Sequence, residues 1–196
     1  MSKQMLIIGS NGGVGKECVK YFSTTYDVVS ISREQGDLRD KDFLQTLVDK
    51  YNPSVVLNCA GVYEKGFYET LESNFLSASF LTLEFYKKMK SGHIINICSS
   101  AANSSGWKGI DYDRLTYNVS KSSLKKFSNM LQSSKNNSVK VTTLEPAQIN
   151  TKMLKHKSKN IIPIEPFYIV EVIHWILNQP DSVIISSMEI QNDSRL

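Results

Sequence analysis

Six short apolar, β-branched runs return along the chain: "MLIIG" (5–9), "DVVSIS" (27–32), "SVVLNCAG" (54–61), "HIINICSS" (93–100), "VKVTTLEP" (139–146) and "SVIISSMEI" (182–190). Each is nearly continuous in its apolar character rather than alternating, as in strands buried on both faces of a parallel sheet. Helical patterns fill the gaps at 13–24, 40–51, 68–90, 117–132 and 165–178. Strict alternation of strand and helix predicts an α/β fold with a doubly wound parallel sheet, Rossmann-like, in three α/β/α layers. No internal repeat, low-complexity tract or linker breaks the pattern. A chain of 196 residues with 41% hydrophobic content suits a single domain over 1–196.

Charge adds little to this picture. The net charge is +4, with Lys and Arg scattered and densest at Lys152, Lys155, Lys157 and Lys159. That run reads as a solvated loop, so no nucleic-acid partner is expected. No apolar run approaches the ~18 residues of a membrane span, and "MSKQMLIIG" enters a strand without a signal peptide. Cys18, Cys59 and Cys98 form no CxxC pair, and His93, His156 and His174 lack ligand spacing. These features predict no disulfide framework, no metal and a cytoplasmic location.

Candidate chemistry starts at "GSNGGVGKE", Gly9 to Glu17, between the first strand and the first helix. A triphosphate-binding loop would need glycine where Ser10 stands and a hydroxyl where Glu17 stands. The spacing that fits is Gly9-x-x-x-Gly13-x-Gly15, the dinucleotide pattern, with Ser10, Asn11 and Val14 in the same loop. Gly9 allows the tight turn, and Gly13 and Gly15 allow close approach to pyrophosphate and close packing of the helix. A purely structural glycine turn would look the same, so the assignment needs further residues. At the end of the second strand, "ISRE" puts Ser32 where an acid would read the ribose and Arg33 beside it. A guanidinium fork suits a 2′-phosphate, which favours NADP. Glu34 could still reach the ribose hydroxyls, which keeps NAD as the alternative.

Further motifs follow in order: "LNCAG" at 57–61, "NICSS" at 96–100, "YNVSK" at 117–121 and "EPAQINT" at 145–151. With the glycine loop, this order resembles the short-chain dehydrogenase/reductase family over nearly the whole chain. The resemblance implies cofactor contacts from Gly9, Gly13, Gly15, the Asp37–Leu38 pair, Asn58, Ala60, Gly61, Pro146, Ile149 and Thr151. It implies a catalytic set of Asn74, Ser99, Tyr117 and Lys121, with Ser100 the alternative serine. The chain looks like a compact variant, since a helix and a strand that the family inserts between Arg33 and Asp37 are missing. Ala147 stands in place of a glycine, and Ile8 in place of a threonine.

Tyr117 and Lys121 lie four apart, hence on one helix face. An ammonium beside a phenol favours its ionised form, so the pair suits proton transfer. The resemblance gives Lys121 the nicotinamide ribose as well, gives Ser99 the substrate oxygen, and gives Asn74 a water leading to solvent. Tyr112 is a decoy, because Thr116 and not a lysine lies one turn on. The expected activity is NADP-dependent interconversion of a small-molecule carbonyl and alcohol. The alternative is a dinucleotide-binding sensor or scaffold with little turnover. The segment 152–166 is short and basic where the family closes over substrate. The family also implies a homodimer or homotetramer through 68–90 and 117–132, although Lys125 and Lys126 lie on the second helix.

Overall fold

The computed structural model describes residues 3–104, 111–134, 138–154 and 161–193. The strands are β1 (Gln4–Ile8), β2 (Asp27–Ile31), β3 (Val55–Asn58), β4 (Ser91–Ile97), β5 (Ser138–Pro146) and β6 (Ser187–Ile190). The helices are α1 (Gly13–Phe22), α2 (Lys41–Lys50), α3 (Phe67–Leu71), α4 (Ser77–Lys88), α5 (Tyr112–Ser133) and α6 (Pro166–Leu177). All strands pair in parallel, in the order β2-β1-β3-β4-β5-β6.

The sheet explains why the strands read as unbroken apolar runs. Met5 and Ile7 face α1 and α6, where Val14, Cys18, Phe22, Ile169 and Ile173 complete one core. Leu6 and Ile8 face the opposite way, into Leu44, Leu47, Leu81 and Phe85 of α2 and α4. Both faces are covered, so every residue of the strand must be apolar. β2 and β6 are the edge strands, and β2 is only partly buried. Ile8 pairs with Ile31 on one side and Asn58 on the other. That register aligns the C-terminal ends of three strands at the point where strand order reverses, where ligands bind in open α/β sheets.

Several boundaries differ from the sequence reading. Residues 67–88 run as helix throughout, but Glu72–Leu76 widens into a π turn between α3 and α4. α5 begins five residues before Tyr117, because Asp111 caps it by accepting from the Arg114 amide at 3.0 Å. The last strand is confined to Ser187–Ile190; the preceding Ser186 still accepts from the Thr143 amide at 3.0 Å. Lys88 donates to the carbonyls of Asp49 and Tyr51 at 3.2 and 3.0 Å, satisfying the open end of α2. Among the described residues, no helix is long and apolar enough to cross a membrane.

Candidate active site

The glycine loop forms at the end of β1. Gly9 has φ +82°, and a Cβ there would stand 2.6 Å from the Ala60 amide nitrogen. The amides of Gly9 and Ser10 both donate to the Ile31 carbonyl, at 2.8 and 3.0 Å. Gly15 lies against the Gly9 carbonyl with no room for a side chain, which seats α1 on the loop. The space that Gly13 leaves is filled by the side chain of Thr151, which ties the end of β5 to the loop. Ser10 and Val14 are buried, Val14 in the α1–α6 core, so the loop presents its backbone and the exposed Asn11. Gly12 caps α1 without a side chain, and the first turn carries no acid. The N–H groups at that end are thus aimed outward with no carboxylate of their own helix beside them, which fits a pyrophosphate.

The link that follows β2, expected to meet the adenosine, is compact. The Ser32 hydroxyl and amide both bond Gln35 Oε1 at 2.8 Å. Arg33 is exposed beyond it. Glu34 leans over the glycine loop and accepts from Asn11 Nδ2 at 3.2 Å. Asp37 is gripped by Arg39 through Nε at 3.0 Å and Nη2 at 2.6 Å. These bonds, with the nearby Arg33 charge, hold its carboxyl down at about 2. Arg39 reaches Glu69 as well, at 3.6 Å. Leu38 packs on the α2–α4 core, and its carbonyl accepts from Ser77 Oγ at 2.6 Å.

Asn58 turns inward. Its Nδ2 donates to Asn96 Oδ1 at 2.6 Å and Thr82 Oγ1 at 3.2 Å, and Asn96 passes the ladder on to Ser128 Oγ at 2.9 Å. It therefore braces β3 and β4 with its side chain. Ala60 abuts Gly9, and the Gly61 Cα faces the centre of the site: a Cβ there would lie 3.4 Å from both Asn74 Oδ1 and Lys121 Nζ. Asn74, fully buried in the π turn, accepts from the Val62 amide at 2.7 Å and donates to the Val62 carbonyl at 2.9 Å and Ser120 Oγ at 3.2 Å. Lys121 is 4% exposed, donates to the Ile97 carbonyl at 3.1 Å and stands 5.8 Å from the centre of the Tyr117 ring. Tyr117 is half-buried, whereas Tyr112 is 74% exposed. Ser99 follows the end of β4 by two residues and caps a 3₁₀ turn, Ser100–Asn103, by accepting from the Ala101 amide at 3.2 Å. Gly61, Asn74, Tyr117 and Lys121 are thus brought together, with Ser99 just beyond the adjoining strand end.

Pro146 closes β5, and Ile149 bridges to Ile164 before Thr151 meets Gly13. Of the basic segment 152–166, residues 155–160 lie outside the described residues, as do 105–110 between Ser99 and Tyr117. Sequence reasoning missed a cluster beside the Ser99 turn. Glu145 is fully buried, accepting from Lys125 Nζ at 2.8 Å, Asn103 Nδ2 at 2.8 Å and Thr143 Oγ1 at 3.0 Å, and bonding Ser187. Burial pushes its carboxyl up, but these donors outweigh burial and hold it below its ordinary value. A charged residue inside the apolar run "VKVTTLEP" was the available signal. Tyr63, packed edge-on against the Tyr117 ring at 5.3 Å, had none.

The sequence profile described as "short chain dehydrogenase" matches residues 35–161. The chain belongs to the short-chain dehydrogenase family, a family of oxidoreductases. Among solved structures, a 4-hydroxyisoleucine dehydrogenase complexed with NADH is similar at TM-score 0.82 and 22% identity, covering 96% of each chain. A short chain dehydrogenase from Burkholderia cenocepacia J2315 in complex with NADP aligns at TM-score 0.82 and 14% identity, over 95% of this chain and 88% of that one. The 3-alpha-hydroxysteroid dehydrogenase from Pseudomonas sp. B-0831, complexed with NADH, gives 0.83 and 16%, over 96% and 95%. At these identities the likeness concerns the fold. No curated protein sequence matches the chain.

Proposed function

We propose that the chain, as a single dinucleotide-binding domain, is an NADP-dependent oxidoreductase that interconverts a carbonyl and an alcohol on a small molecule. The observation that carries this reading is the buried Lys121 ammonium, held between the Tyr117 ring and the Gly61–Asn74 pair. A buried cation needs partners, and among the described residues the Ile97 carbonyl is its hydrogen-bond acceptor. An ammonium has three donors, so Lys121 can serve the phenol and a ribose as well.

Bound NADPH would supply the hydride in reduction, and NADP+ would accept it in oxidation. Tyr117 gives its proton to the substrate oxygen in reduction and takes it back in oxidation. Ser99 holds that oxygen beside the phenol, and Lys121 stabilises the phenolate that remains. Asn74, whose side chain is fixed by the Val62 backbone and Ser120, keeps Gly61 and Val62 in place and orders the route from Lys121 to solvent. The bare N-terminus of α1 holds the pyrophosphate, and Arg33 meets the 2′-phosphate while Asn11 keeps Glu34 to one side. An association of copies through α4 and α5 is part of the same reading: Leu115, Val119 and Met130 are exposed on α5, while Lys125 is used internally.

Oxidation of NADPH against a panel of aldehydes and ketones tests the proposal. Turnover with at least one carbonyl class supports it. Tight NADP binding with no turnover on any of them would make the protein a sensor or scaffold.

A further inference from the structure

The segment "VYEKG", Val62 to Gly66, joins β3 to α3 and passes directly over the site. Its first residue is clamped on both backbone groups by Asn74. Its second, Tyr63, is half-buried and presents its ring to Tyr117 at 5.3 Å between centroids, with the planes 84° apart. Its third, Glu64, has φ +55°, and among the described residues it is the one non-glycine residue with positive φ. Such a conformation is disfavoured for side chains other than Gly, Asn or Asp, and it persists where the surroundings over-determine it. Here the clamp at Val62 holds the turn on one side, and Gly66, at φ +74°, lets the chain leave it on the other.

We propose that Tyr63 is a positioning residue: its ring holds the Tyr117 phenol in the orientation that transfers the proton. The inference rests on the reading of Tyr117 as the acid, and it adds a residue to that site. The phenol of Tyr117 leaves the helix on a side chain with two rotatable bonds. Lys121 attracts it from one side but does not by itself fix which rotamer it takes. An edge-to-face neighbour does, because the electropositive edge of one ring meets the face of the other along a restricted set of angles. Burial, first, and the charges of Asp111 and Glu64 push the Tyr63 phenol up, so it gives up its proton less readily than an ordinary tyrosine. The contact with Tyr117 is made ring to ring, at 5.3 Å between centroids.

Two variants separate ring from hydroxyl: Tyr63→Leu removes the aromatic edge, and Tyr63→Phe keeps it. Single-turnover hydride transfer should slow by roughly three- to tenfold in Tyr63→Leu, the range an aromatic pair supplies. NADP affinity by calorimetry should stay within about twofold, since no cofactor contact is touched. Tyr63→Phe should restore the rate, and the loss should be the same for small and large carbonyl substrates. In the cofactor-free protein, the side-chain coupling constants of Tyr117 should report one χ1 rotamer in the parent and Tyr63→Phe, and an average in Tyr63→Leu. A single retained rotamer in Tyr63→Leu would overturn the proposal. So would a loss that falls on KM and varies with substrate size, which would make Tyr63 a wall of the substrate pocket. Averaging in Tyr63→Leu with no turnover in the parent would count against the reductase reading and uphold the ring contact.

Discussion

At the scale of single residues, two side chains make separable claims. Arg33 is exposed at the end of β2, and the acid beside it, Glu34, is committed to Asn11. Arg33→Asp replaces a fork of donors with a charge that repels a 2′-phosphate. Calorimetry should show NADP affinity falling by about 2–4 kcal/mol more than NAD affinity. An equal loss for both would pass the discriminating role to Glu34. His93 is the second. It is buried, bonds Thr142 Oγ1 at 2.7 Å, and is held neutral down to about 4 by burial and then by the Lys140 charge. An unfolded histidine takes its proton near 6.5. Between those values the unfolded chain binds more protons, so stability falls as pH drops from 6.5 towards 4, by about 3 kcal/mol in total. His93→Gln should flatten that part of the stability–pH curve in urea titrations; an unchanged slope would place the acid sensitivity elsewhere.

At the scale of elements, the glycine loop and the end of β5 carry the joints. Gly15 touches the Gly9 carbonyl, which belongs to backbone and cannot move aside, whereas Gly13 touches the Thr151 side chain. Gly15→Ala should therefore destabilise the fold by about 1–3 kcal/mol, seen as a lower urea midpoint. Gly13→Val should leave the chain folded but displace Thr151 and abolish dinucleotide binding. Removing one partner of the Lys125–Glu145 pair strands a charge, and Lys125 is partly solvated. Lys125→Ala, which strands the buried Glu145 carboxylate, should cost about 2–4 kcal/mol, and a double-mutant cycle with Glu145→Gln should recover much of it. The elements themselves were legible because both sheet faces are covered: β1, β3 and β4 could read only as apolar runs. The π turn at Glu72–Leu76 was not, since nothing in "ESNFL" breaks the helical period; it follows from where Asn74 must reach to hold Val62. The start of α5 was missed because Asp111 and Tyr112 look like loop residues until the cap is seen. Tyr63 was invisible for a different reason: its partner, Tyr117, lies far along the chain, and no local pattern encodes that contact.

For the whole molecule, the sheet order brings one residue set to one edge. The segments that follow β1, β3 and β4 carry the glycine loop, Gly61 and Ser99, and α5 carries Tyr117 and Lys121. The short link from Ile31 to Lys41 carries Arg33, Asp37 and Arg39 and leaves β2 at one edge of the sheet. The central claim is that Tyr117, and not the exposed Tyr112 at the start of the same helix, exchanges the proton. Its most direct test is single-turnover hydride transfer from NADPH to an accepted carbonyl, compared in the parent, Tyr117→Phe and Tyr112→Phe. The account predicts that Tyr117→Phe binds NADPH as the parent does but transfers hydride at least ~100-fold more slowly, the scale of a lost general acid, while Tyr112→Phe stays within a few-fold of the parent. A Tyr117→Phe enzyme as fast as the parent would contradict it.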